Sequence, residues 1–287
     1  MFHIIFNPVA GKKKSEKNLS IVERIFRERK IAYEVHESHA IRDAQKITKE
    51  LTENGAQDII ALGGDGTLHE VLNGIVDPTA CRLGLIPSGT GNDFAETIGI
   101  PEDAEKAAYR ILDGEAKEVN YLEVGGVRCM NVAGLGMDVD VLERCQKGKL
   151  KGKIKYLMSL IQSLFAFKGY KIEVESEHYV QEHDALLAAA CNGTQFGGGI
   201  RICPPAKPDD DKISVVIVDC IGGKMKIIKA FIQLMKGKIL EYPAAHHFLC
   251  DRVKFTPALP CPVQLDGELY NNLHFDVKLC KGLKFYQ

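Results

Sequence analysis

The 287-residue chain is predicted to combine a doubly wound parallel α/β domain with a second, mostly antiparallel β domain. Up to about residue 125, short apolar runs alternate with helical periodicity, which is the βαβα order of a parallel sheet covered on both faces. From about Val119 the apolar runs alternate instead with glycine- and proline-rich turns. The length is long for one core, so we expect two domains, 1–125 and 126–287, with the extreme C-terminus free to return to the first.

The elements of the first domain follow from apolar runs and their periodicity. Its predicted strands are Phe2–Phe6, Ala32–His36, Asp58–Leu62 and Arg82–Pro87. Its predicted helices are Ser15–Arg29, Ala40–Asn54, Thr67–Gly74, a helix that starts at Asn92, and Pro101–Leu112. In the helix from Ala40 the apolar residues share one face, as expected of a helix packed on a sheet.

The second domain reads as a series of short strands separated by turns. The predicted strands are Val119–Val124, Val127–Val132, Tyr170–Glu175, Ala185–Cys191, Lys212–Val218, Val253–Thr256, Val263–Leu265 and Phe275–Leu279. Two basic stretches with helical periodicity, Lys147–Phe167 and Met225–Leu240, interrupt the series. Together they suit a mostly antiparallel domain that carries two helices.

Composition and charge exclude several classes of protein. The chain has 37 basic and 38 acidic residues and a formal charge of −1, which argues against a globally basic nucleic-acid binder. No CxxC pair occurs among the nine irregularly spaced cysteines, so we expect reduced, mostly buried thiols in a cytoplasmic protein. No apolar run approaches the length of a membrane span, and the N-terminal run is too short for a signal peptide.

The segment from Gly63 to Thr67, with the sequence GGDGT, predicts a phosphate-binding loop. It connects a buried strand to a helix, which is the edge of a parallel sheet where ligands bind. Adjacent glycines allow the backbone to approach a phosphate, and the following helix points its positive end to the same place. Asp65 suits a nearby Mg²⁺, ribose or lysine. The alternative is a tight turn in which Asp65 caps the helix.

Two further segments are predicted to lie at the same edge. Pro87–Ala95, with the sequence PSGTGNDFA, joins the next strand to its helix, and capping at Asn92 or Asp93 is compatible with phosphate binding. Asn7–Gly11 follows the first strand and precedes three lysines, which on their own could equally be a solvated run. The loops do not form a Walker A motif, because GxxxxGK[ST] is absent.

Taken together, these motifs resemble the diacylglycerol kinase catalytic-domain family, in particular the bacterial soluble lipid kinases, which share their fold with NAD kinases and phosphofructokinases. The resemblance covers nearly the whole chain. The motifs that carry it are Asn7-Pro8 with Gly11, Gly63–Thr67 with Glu70, Pro87–Thr90 with Asn92–Ala95, Gly197–Gly199, Pro205-Ala206 with Asp210, and Asp266–Glu268. It implies a nucleotide-binding α/β domain and a C-terminal β-sandwich, with ATP and the acceptor meeting in the cleft between them.

The resemblance also implies site residues and cofactors, namely ATP and Mg²⁺. The residues expected to contact ATP are Asn7, Pro8, Val9, Ala10, Gly11, Ser38, Gly63, Gly64, Asp65, Gly66, Thr67, Leu68, His69 and Thr90. A structural Mg²⁺ is expected on the carbonyl oxygens of Lys207 and Lys212 and the carboxylate of Asp210, although Asp209–Asp211 alone would suit an exposed acidic turn.

Glu268 is expected, from the same resemblance, to accept a proton from the acceptor hydroxyl, with Asp65 helping to hold the catalytic Mg²⁺ and phosphates. Taken alone, Asp266–Glu268 would be a hairpin turn. Three positions depart from the family pattern. Asn120 replaces a common Asp, Asp211 replaces a Gly, and His69 replaces a common Asn. The expected reaction is transfer of the γ-phosphate of ATP to a lipid hydroxyl, most simply diacylglycerol to phosphatidic acid.

Two other functions stay open at this point: an NAD-kinase-like nucleotide phosphorylator, and a weakened nucleotide- or lipid-binding regulator, the latter suggested by Asn120. The basic stretches 147–171 and 222–240 carry twelve lysines and no acidic residue. They suit peripheral contact with an anionic membrane that holds the lipid substrate, or two amphipathic helices with solvated lysines. Which lipid reacts and whether the chain forms a homodimer are left open.

Overall fold

The computed structural model describes residues 1–147, 169–220 and 222–287. The chain divides into two units. The first comprises Met1–Tyr121 together with Lys281–Gln287, and the second comprises Leu122–Cys280. The architecture is mixed α/β, with parallel strands in the first unit and antiparallel strands in the second, as the sequence predicts.

The first unit contains a parallel sheet with its helices in the connections. The strands are β1 Phe2–Phe6, β2 Tyr33–Glu37, β3 Asp58–Gly63 and β4 Arg82–Pro87. The helices are α1 Lys14–Glu28, α2 Asp43–Glu53, α3 Asp65–Gly74, α4 Asp93–Thr97 and α5 Ala104–Asp113, with 3-10 turns at Ala10–Lys13 and Pro78–Ala80. The spatial order is β2-β1-β3-β4.

This order places a topological switch point between β1 and β3. β2 lies on one side of β1 and β3 on the other, so the connections leaving β1 and β3 diverge. In parallel sheets a ligand crevice forms outside the carboxyl ends of the strands at such a point. All six residues of β3 are buried, which accounts for its continuous apolar sequence.

The C-terminal residues complete the first unit. Lys284 and Phe285 pair in parallel with Arg82 and Leu83 of β4. The Tyr286 hydroxyl donates a hydrogen bond of 2.7 Å to Oδ1 of Asp58, which also accepts from Arg82. Burial, followed by the Asp58 carboxylate, raises the pKa of Tyr286 and keeps it a hydrogen-bond donor.

Antiparallel strands form most of the second unit. The strands that follow in the chain are β5 Ala116–Val124, which starts in the first unit, β6 Val127–Cys129, β7 Val132–Gly136, β8 Tyr170–Ser176, β9 Tyr179–Cys191, β10 Ile213–Asp219, β11 Ala245–Cys250, β12 Arg252–Pro257, β13 Val263–Leu265, β14 Glu268–Tyr270 and β15 Asp276–Tyr286. The helices are α6 Met137–Lys147 and α7 Lys224–Met235, and Ile239–Glu241 forms a 3-10 turn.

Strand β9 organises this unit because it has three neighbours. Its first half pairs with β8, and its second half lies between β7 and β10. One buried cluster is built from strand residues such as Val174, Val215 and Phe255. A second cluster includes Met137 of α6 and Leu234 of α7, so both helices pack on the sheet.

Several predicted boundaries differ from the structure. The predicted strand Val127–Val132 is two strands, because the N–H groups of Met130 and Asn131 donate to the Asp266 carboxylate. The sequence pattern does not indicate β11 and β14, and β9 and β15 extend beyond their predicted ends.

The two predicted basic helices have different outcomes. The first, Lys147–Phe167, lies outside the described residues apart from Lys147, the last residue of α6. The second ends at Met235 and not at Leu240, since Gly237 has a φ of 69° and breaks the helix.

The eight cysteines whose side chains are described form no disulfide, and five of them are buried. In the described part of the chain, no helix is long and apolar enough to cross a membrane.

Candidate active site

Four of the segments predicted to bind ATP follow the four parallel strands of the first unit. Asn7–Gly11 follows β1, Ser38 follows β2, the segment from Gly64 follows β3, and Ser88–Asn92 follows β4. Since the four strands are parallel, all four segments lie at the carboxyl edge of the sheet. The connections after β1 and β3 flank the switch point, where a ligand crevice is expected.

The Asp65 carboxylate joins the segments that follow β3 and β4. Its Oδ2 accepts a hydrogen bond of 2.8 Å from the N–H of Asn92, and its Oδ1 accepts one of 2.8 Å from the N–H of Asp93. Asp93 is the first residue of α4, so the carboxylate also lies at the positive end of that helix. Asp65 therefore fixes the relative position of the two predicted phosphate-binding loops, a role that the sequence does not reveal.

Glycines allow these loops to approach each other closely. A Cβ added at Gly64 would lie 2.9 Å from the Cα of Gly89, and one added at Gly89 would lie 2.5 Å from the Cα of Gly64. Gly11, with a φ of 60°, faces the carbonyl oxygen of Ser88 so closely that no side chain fits. The glycines are thus required for packing between loops.

Asn7 and Asn18 add side-chain hydrogen bonds to the same edge. Asn7 donates to Oγ1 of Thr67 at 3.3 Å and accepts from the N–H of Val9 at 3.1 Å. Asn18, buried on α1, donates to Oγ of Ser88 at 2.8 Å. Asn18 was not predicted as part of the site, because the helical pattern of α1 gives no sign of this long-range bond.

The predicted ATP contacts differ in exposure. Thr90 is exposed and Val9 is 82% exposed, whereas Ser38, Thr67, Leu68 and His69 are buried. The residues with intermediate exposure are Asn7, Pro8, Ala10, Gly11, Gly64, Asp65 and Gly66, and Gly63 is buried at the end of β3. The buried residues have little surface for direct contact with a ligand.

His69 and Glu70 of α3 have structural partners. Asn73 donates to the carbonyl of His69 at 2.9 Å, and its Nδ2 lies 3.5 Å from Nε2 of the imidazole. Glu70 accepts hydrogen bonds from the N–H groups of Arg42 at 2.8 Å and Ala44 at 3.2 Å, at the start of α2. This explains the acid three residues after GGDGT without a catalytic role.

The predicted Mg²⁺ ligands lie in one short turn of the second unit. The carbonyl of Lys207 accepts from the N–H of Asp210 at 3.4 Å, and Asp210 Oδ1 accepts from the N–H of Lys212 at 3.2 Å. Asp211, where the family pattern has Gly, has a φ of 60°. The turn thus keeps a left-handed backbone, and an aspartate tolerates it better than most side chains do.

Asp266 and Gly267 form the turn between β13 and β14, and Glu268 is the first residue after it. Asp266 and Gly267 both have positive φ, as an Asp-Gly two-residue hairpin turn requires. The Asp266 carboxylate accepts from the N–H groups of Met130 and Asn131 at 2.8 Å each. Glu268 is exposed at the start of β14. The hairpin interpretation and the catalytic one are therefore compatible, since the turn presents Glu268 to its surroundings.

Two buried groups lie beneath this turn. Cys129 donates through Sγ to Oδ1 of Asp266 at 3.1 Å, and burial, followed by that carboxylate, raises the pKa of the thiol. Gln264 accepts from the N–H of Gly267 at 2.9 Å, and its buried Nε2 has no hydrogen-bond partner within the described ranges. Neither residue is recognisable as part of the site from sequence.

Asn120 is buried on β5, with 2% of its surface exposed. The other predicted site residues are divided between the two units. The first unit contains the predicted ATP contacts, including Asp65, and the second contains Glu268 and the turn with Lys207, Asp210 and Lys212.

Comparison with known proteins identifies both parts of the chain. Residues 1–124 match the diacylglycerol kinase catalytic domain, and residues 131–282 match the YegS C-terminal NAD kinase beta sandwich-like domain. A diacylglycerol kinase of Bacillus subtilis is 29% identical over 92% of this chain and 88% of its own. A Cronobacter sakazakii protein named "Probable lipid kinase YegS-like" is 31% identical over 95% of this chain and 91% of its own.

Solved structures agree with the sequence relatives. The crystal structure of a diacylglycerol kinase from Bacillus anthracis is 25% identical and matches with a TM-score of 0.80, covering 99% of this chain and 96% of that one.

Proposed function

Since this chain belongs to the lipid kinase family that combines a diacylglycerol kinase catalytic domain with a YegS-type C-terminal domain, we propose that it phosphorylates diacylglycerol to phosphatidic acid. The family is one of ATP-using transferases with a lipid acceptor. In this proposal the first unit binds ATP, and the second unit provides the lipid-binding part and Glu268. The identity of the lipid and the roles of the individual residues are what we propose beyond membership of the family.

The observation that carries the proposal is the junction of loops at the switch point of the parallel sheet. Asp65 connects the segment after β3 to the segment after β4, and Gly64 packs on Gly89. The segment after β3 leads into the N-terminus of α3, whose partial positive charge favours phosphate, whereas the N–H groups at the start of α4 are bound by Asp65. A loop pair held in this way is preorganised for a polyphosphate and needs little rearrangement on binding.

The ATP-binding residues are proposed to act in two groups. Asn7–Gly11, Gly64, Gly66 and Thr90 have accessible surface and contact the nucleotide directly. Ser38 and Thr67 are buried and hold neighbouring backbone in place, for example through the 3.3 Å bond from Ser38 Oγ to the carbonyl of Phe6. Leu68 and His69 are proposed to take part only through their backbone.

The turn around Asp210 fits Mg²⁺ by the chemistry of its donors. Backbone carbonyls of Lys207 and Lys212 and the carboxylate of Asp210 are hard oxygen ligands, which Mg²⁺ and Ca²⁺ prefer. The hydrogen bond of 3.2 Å from the N–H of Lys212 to Asp210 holds the carboxylate beside the backbone of the turn. We assign the structural Mg²⁺ to these three residues. A catalytic Mg²⁺ would neutralise charge on the transferred phosphoryl group.

Glu268 is proposed to accept the proton of the lipid hydroxyl. As the hydroxyl oxygen attacks the γ-phosphorus, its proton passes to the Glu268 carboxylate and the bond to the β–γ bridging oxygen breaks, releasing ADP. The Asp266-Gly267 turn orients this carboxylate, because Asp266 is bound to the N–H groups of Met130 and Asn131. The Glu268 side chain is exposed, so its carboxylate is accessible to an acceptor hydroxyl.

Helix α7 is proposed to contact the anionic membrane that contains the lipid. Its exposed residues mix charge and apolar surface, with Lys226 and Lys229 beside Met225 at 67%, Ile232 at 44% and Met235 at 49% exposure. Each lysine near an anionic surface contributes about 1 kcal/mol, and the apolar residues favour the interface.

A panel of acceptors tests the proposed substrate. The protein is incubated with γ-labelled ATP, Mg²⁺ and micelles that contain dioctanoylglycerol, ceramide, sphingosine or phosphatidylglycerol, and products are identified by mass spectrometry. Preferential formation of phosphatidic acid supports the proposal. A preference for another lipid of at least tenfold would refute diacylglycerol as the substrate while leaving the lipid kinase family unaffected.

Membrane contact is tested separately. Replacing Lys226 and Lys229 by Glu should weaken binding to anionic vesicles and spare activity on dioctanoylglycerol. The control pair Lys46→Glu and Lys49→Glu is exposed with the same spacing on helix α2 of the first unit and should leave vesicle binding unchanged. Equal effects of both pairs would contradict the role of α7.

A further inference from the structure

Two histidines and one glutamate converge on one face of the first unit, at the amino-terminal half of β1 and on β2. His3 is opposite Glu34 in the parallel register, and His36 follows Glu34 at the two-residue spacing that keeps side chains on one face. His3 is buried, His36 is half-buried and Glu34 is exposed. None of the proposed kinase chemistry uses these residues.

The three ligand atoms have the spacing of a metal coordination shell. His3 Nδ1 is 3.1 Å from His36 Nε2 and 3.5 Å from Glu34 Oε2, and His36 Nε2 is 3.7 Å from the same oxygen. A point in the centre of this triangle lies about 2.0 Å from each atom, and zinc binds imidazole nitrogen at about 2.0–2.1 Å and carboxylate oxygen at about 2.0–2.2 Å. We propose that His3, Glu34 and His36 bind one zinc ion, a site separate from the kinase chemistry.

His3, but neither Glu34 nor His36, also lines a cavity of about 360 Å³, together with residues such as Leu51, Asn54 and Asp58. Zinc held by two histidines and one glutamate usually keeps its fourth position for water or another small ligand.

A second cluster in the described residues, His183, Asp219 and His246, has a different geometry. Asp219 Oδ1 is 2.8 Å from His183 Nδ1, and Asp219 Oδ2 is 2.8 Å from His246 Nε2. Nε2 of His183 is 2.7 Å from the hydroxyl of Tyr179. These are all hydrogen-bond distances, whereas in the first cluster only the 3.1 Å contact between the two imidazoles is a hydrogen bond and the contacts to Glu34 are 3.5 Å and 3.7 Å long. Hydrogen bonds alone therefore account for the second cluster and not for the first. The second cluster is a control for the first.

A zinc ion at the first cluster would join β1 to the edge strand β2 by side chains in addition to the backbone ladder. Among the strands of residues 1–147, 169–220 and 222–287, β2 has β1 as its one neighbour in the sheet. A ligand that binds the folded chain and not the unfolded one raises the unfolding temperature in proportion to the logarithm of its concentration. Zinc is therefore expected to raise the thermal midpoint of the protein.

The test measures zinc content and affinity for the full chain in a metal buffer with a competing chelator. Wild type should bind one more zinc ion than His3→Gln, Glu34→Gln or His36→Gln, with an affinity at this site at least 100-fold higher than in any variant. Loss of a direct ligand should exceed the 10–100-fold effect of losing an outer-shell partner. The extra ion also raises the thermal midpoint in wild type only.

Two controls keep the test specific. Glu37→Gln removes an exposed carboxylate from the opposite face of β2, and His246→Gln removes a ligand of the second cluster. Both should keep the extra zinc ion. Because Glu34 is exposed, Glu34→Gln should fold normally, and circular dichroism checks that it does. A loss of zinc in this variant is then due to the lost ligand and not to misfolding. Equal zinc content in wild type and Glu34→Gln, or loss in His246→Gln alone, would overturn the proposal.

Discussion

Asp65 provides the sharpest test of how the phosphate-binding loops are built. Replacing it by Asn keeps the size of the side chain and one acceptor oxygen, but it removes the charge and turns an NH₂ group toward one of two N–H donors. Those donors belong to Asn92 and Asp93, which are 5% and 6% exposed, so water cannot readily replace the lost partner. The substitution therefore affects both stability and the position of the loop after β4.

The magnitude follows from the two bonds. A hydrogen bond to a charged group contributes about 1.5–3 kcal/mol, and a carboxylate near a helix N-terminus contributes about 0.3–1 kcal/mol. Losing one bond and the charge should lower the free energy of unfolding by about 2–4 kcal/mol. A shift of about 1 Å in the segment after β4, which contains the proposed ATP contact Thr90, should lower kcat/KM for ATP by about 10²-fold.

Glu70→Gln is the matched control because Glu70 belongs to the same helix and also bridges two backbone N–H groups. Its donors, Arg42 and Ala44, lie at the start of α2 and not in a predicted phosphate loop. Urea unfolding and steady-state kinetics on dioctanoylglycerol are measured for both variants. Both should be destabilised, and only Asp65→Asn should lose activity in the fraction that stays folded. Equal loss of kcat/KM in the two folded variants would refute the assignment of these loops as the ATP site.

Three further predictions concern the second unit. Glu268→Gln should lower kcat by about 10²-fold or more, because the side chain is proposed to accept the proton of the acceptor hydroxyl. Stability and the KM for ATP should not change, since the side chain is exposed and does not bind the nucleotide. A loss of affinity for ATP with unchanged kcat would make Glu268 a nucleotide ligand instead. Residue 211 has a positive φ, which alanine adopts less easily than aspartate or glycine does. In urea unfolding, Asp211→Ala should therefore lower the free energy of unfolding by about 1 kcal/mol, and Asp211→Gly should not. Equal stability of the two variants would contradict this. The Arg252 guanidinium holds the pKa of Asp276 below its ordinary value, so this pair stabilises the fold above the ordinary pKa of the carboxyl, and the benefit is lost as the pH falls through the lowered one. The urea midpoints of wild type and Arg252→Gln should therefore differ by a constant amount at neutral pH and converge only as the pH falls below about 3.9. A difference that stays constant into that acidic range would contradict this prediction.

Local patterns predicted the elements that depend on local sequence. β3 is a continuous apolar run because both of its faces are buried, and GGDGT directly follows it, so both the strand and its loop can be predicted. The Asp-Gly pair likewise predicted the turn before Glu268, since only certain residues adopt its positive φ values easily.

Other features depend on contacts between distant segments. The bonds of Asp65 join residues 27 and 28 positions apart, and those of Asp266 join residues 135 and 136 apart, so no local pattern indicates them. β11 has the sequence AHHFLC, whose two histidines hide the alternation of a strand. His3 meets Glu34 and His36 only through the register of β1 and β2.

The central claim is that the chain moves the γ-phosphate of ATP to a lipid, using the loops joined by Asp65. Its most direct test incubates wild type and Asp65→Asn with γ-labelled ATP, Mg²⁺ and a total lipid extract, then separates lipid from aqueous products. Wild type should place the label in a phospholipid, and Asp65→Asn should form about 10²-fold less of it at equal folded concentration. Label found only in inorganic phosphate or in a phosphorylated nucleotide such as NADP would contradict the account.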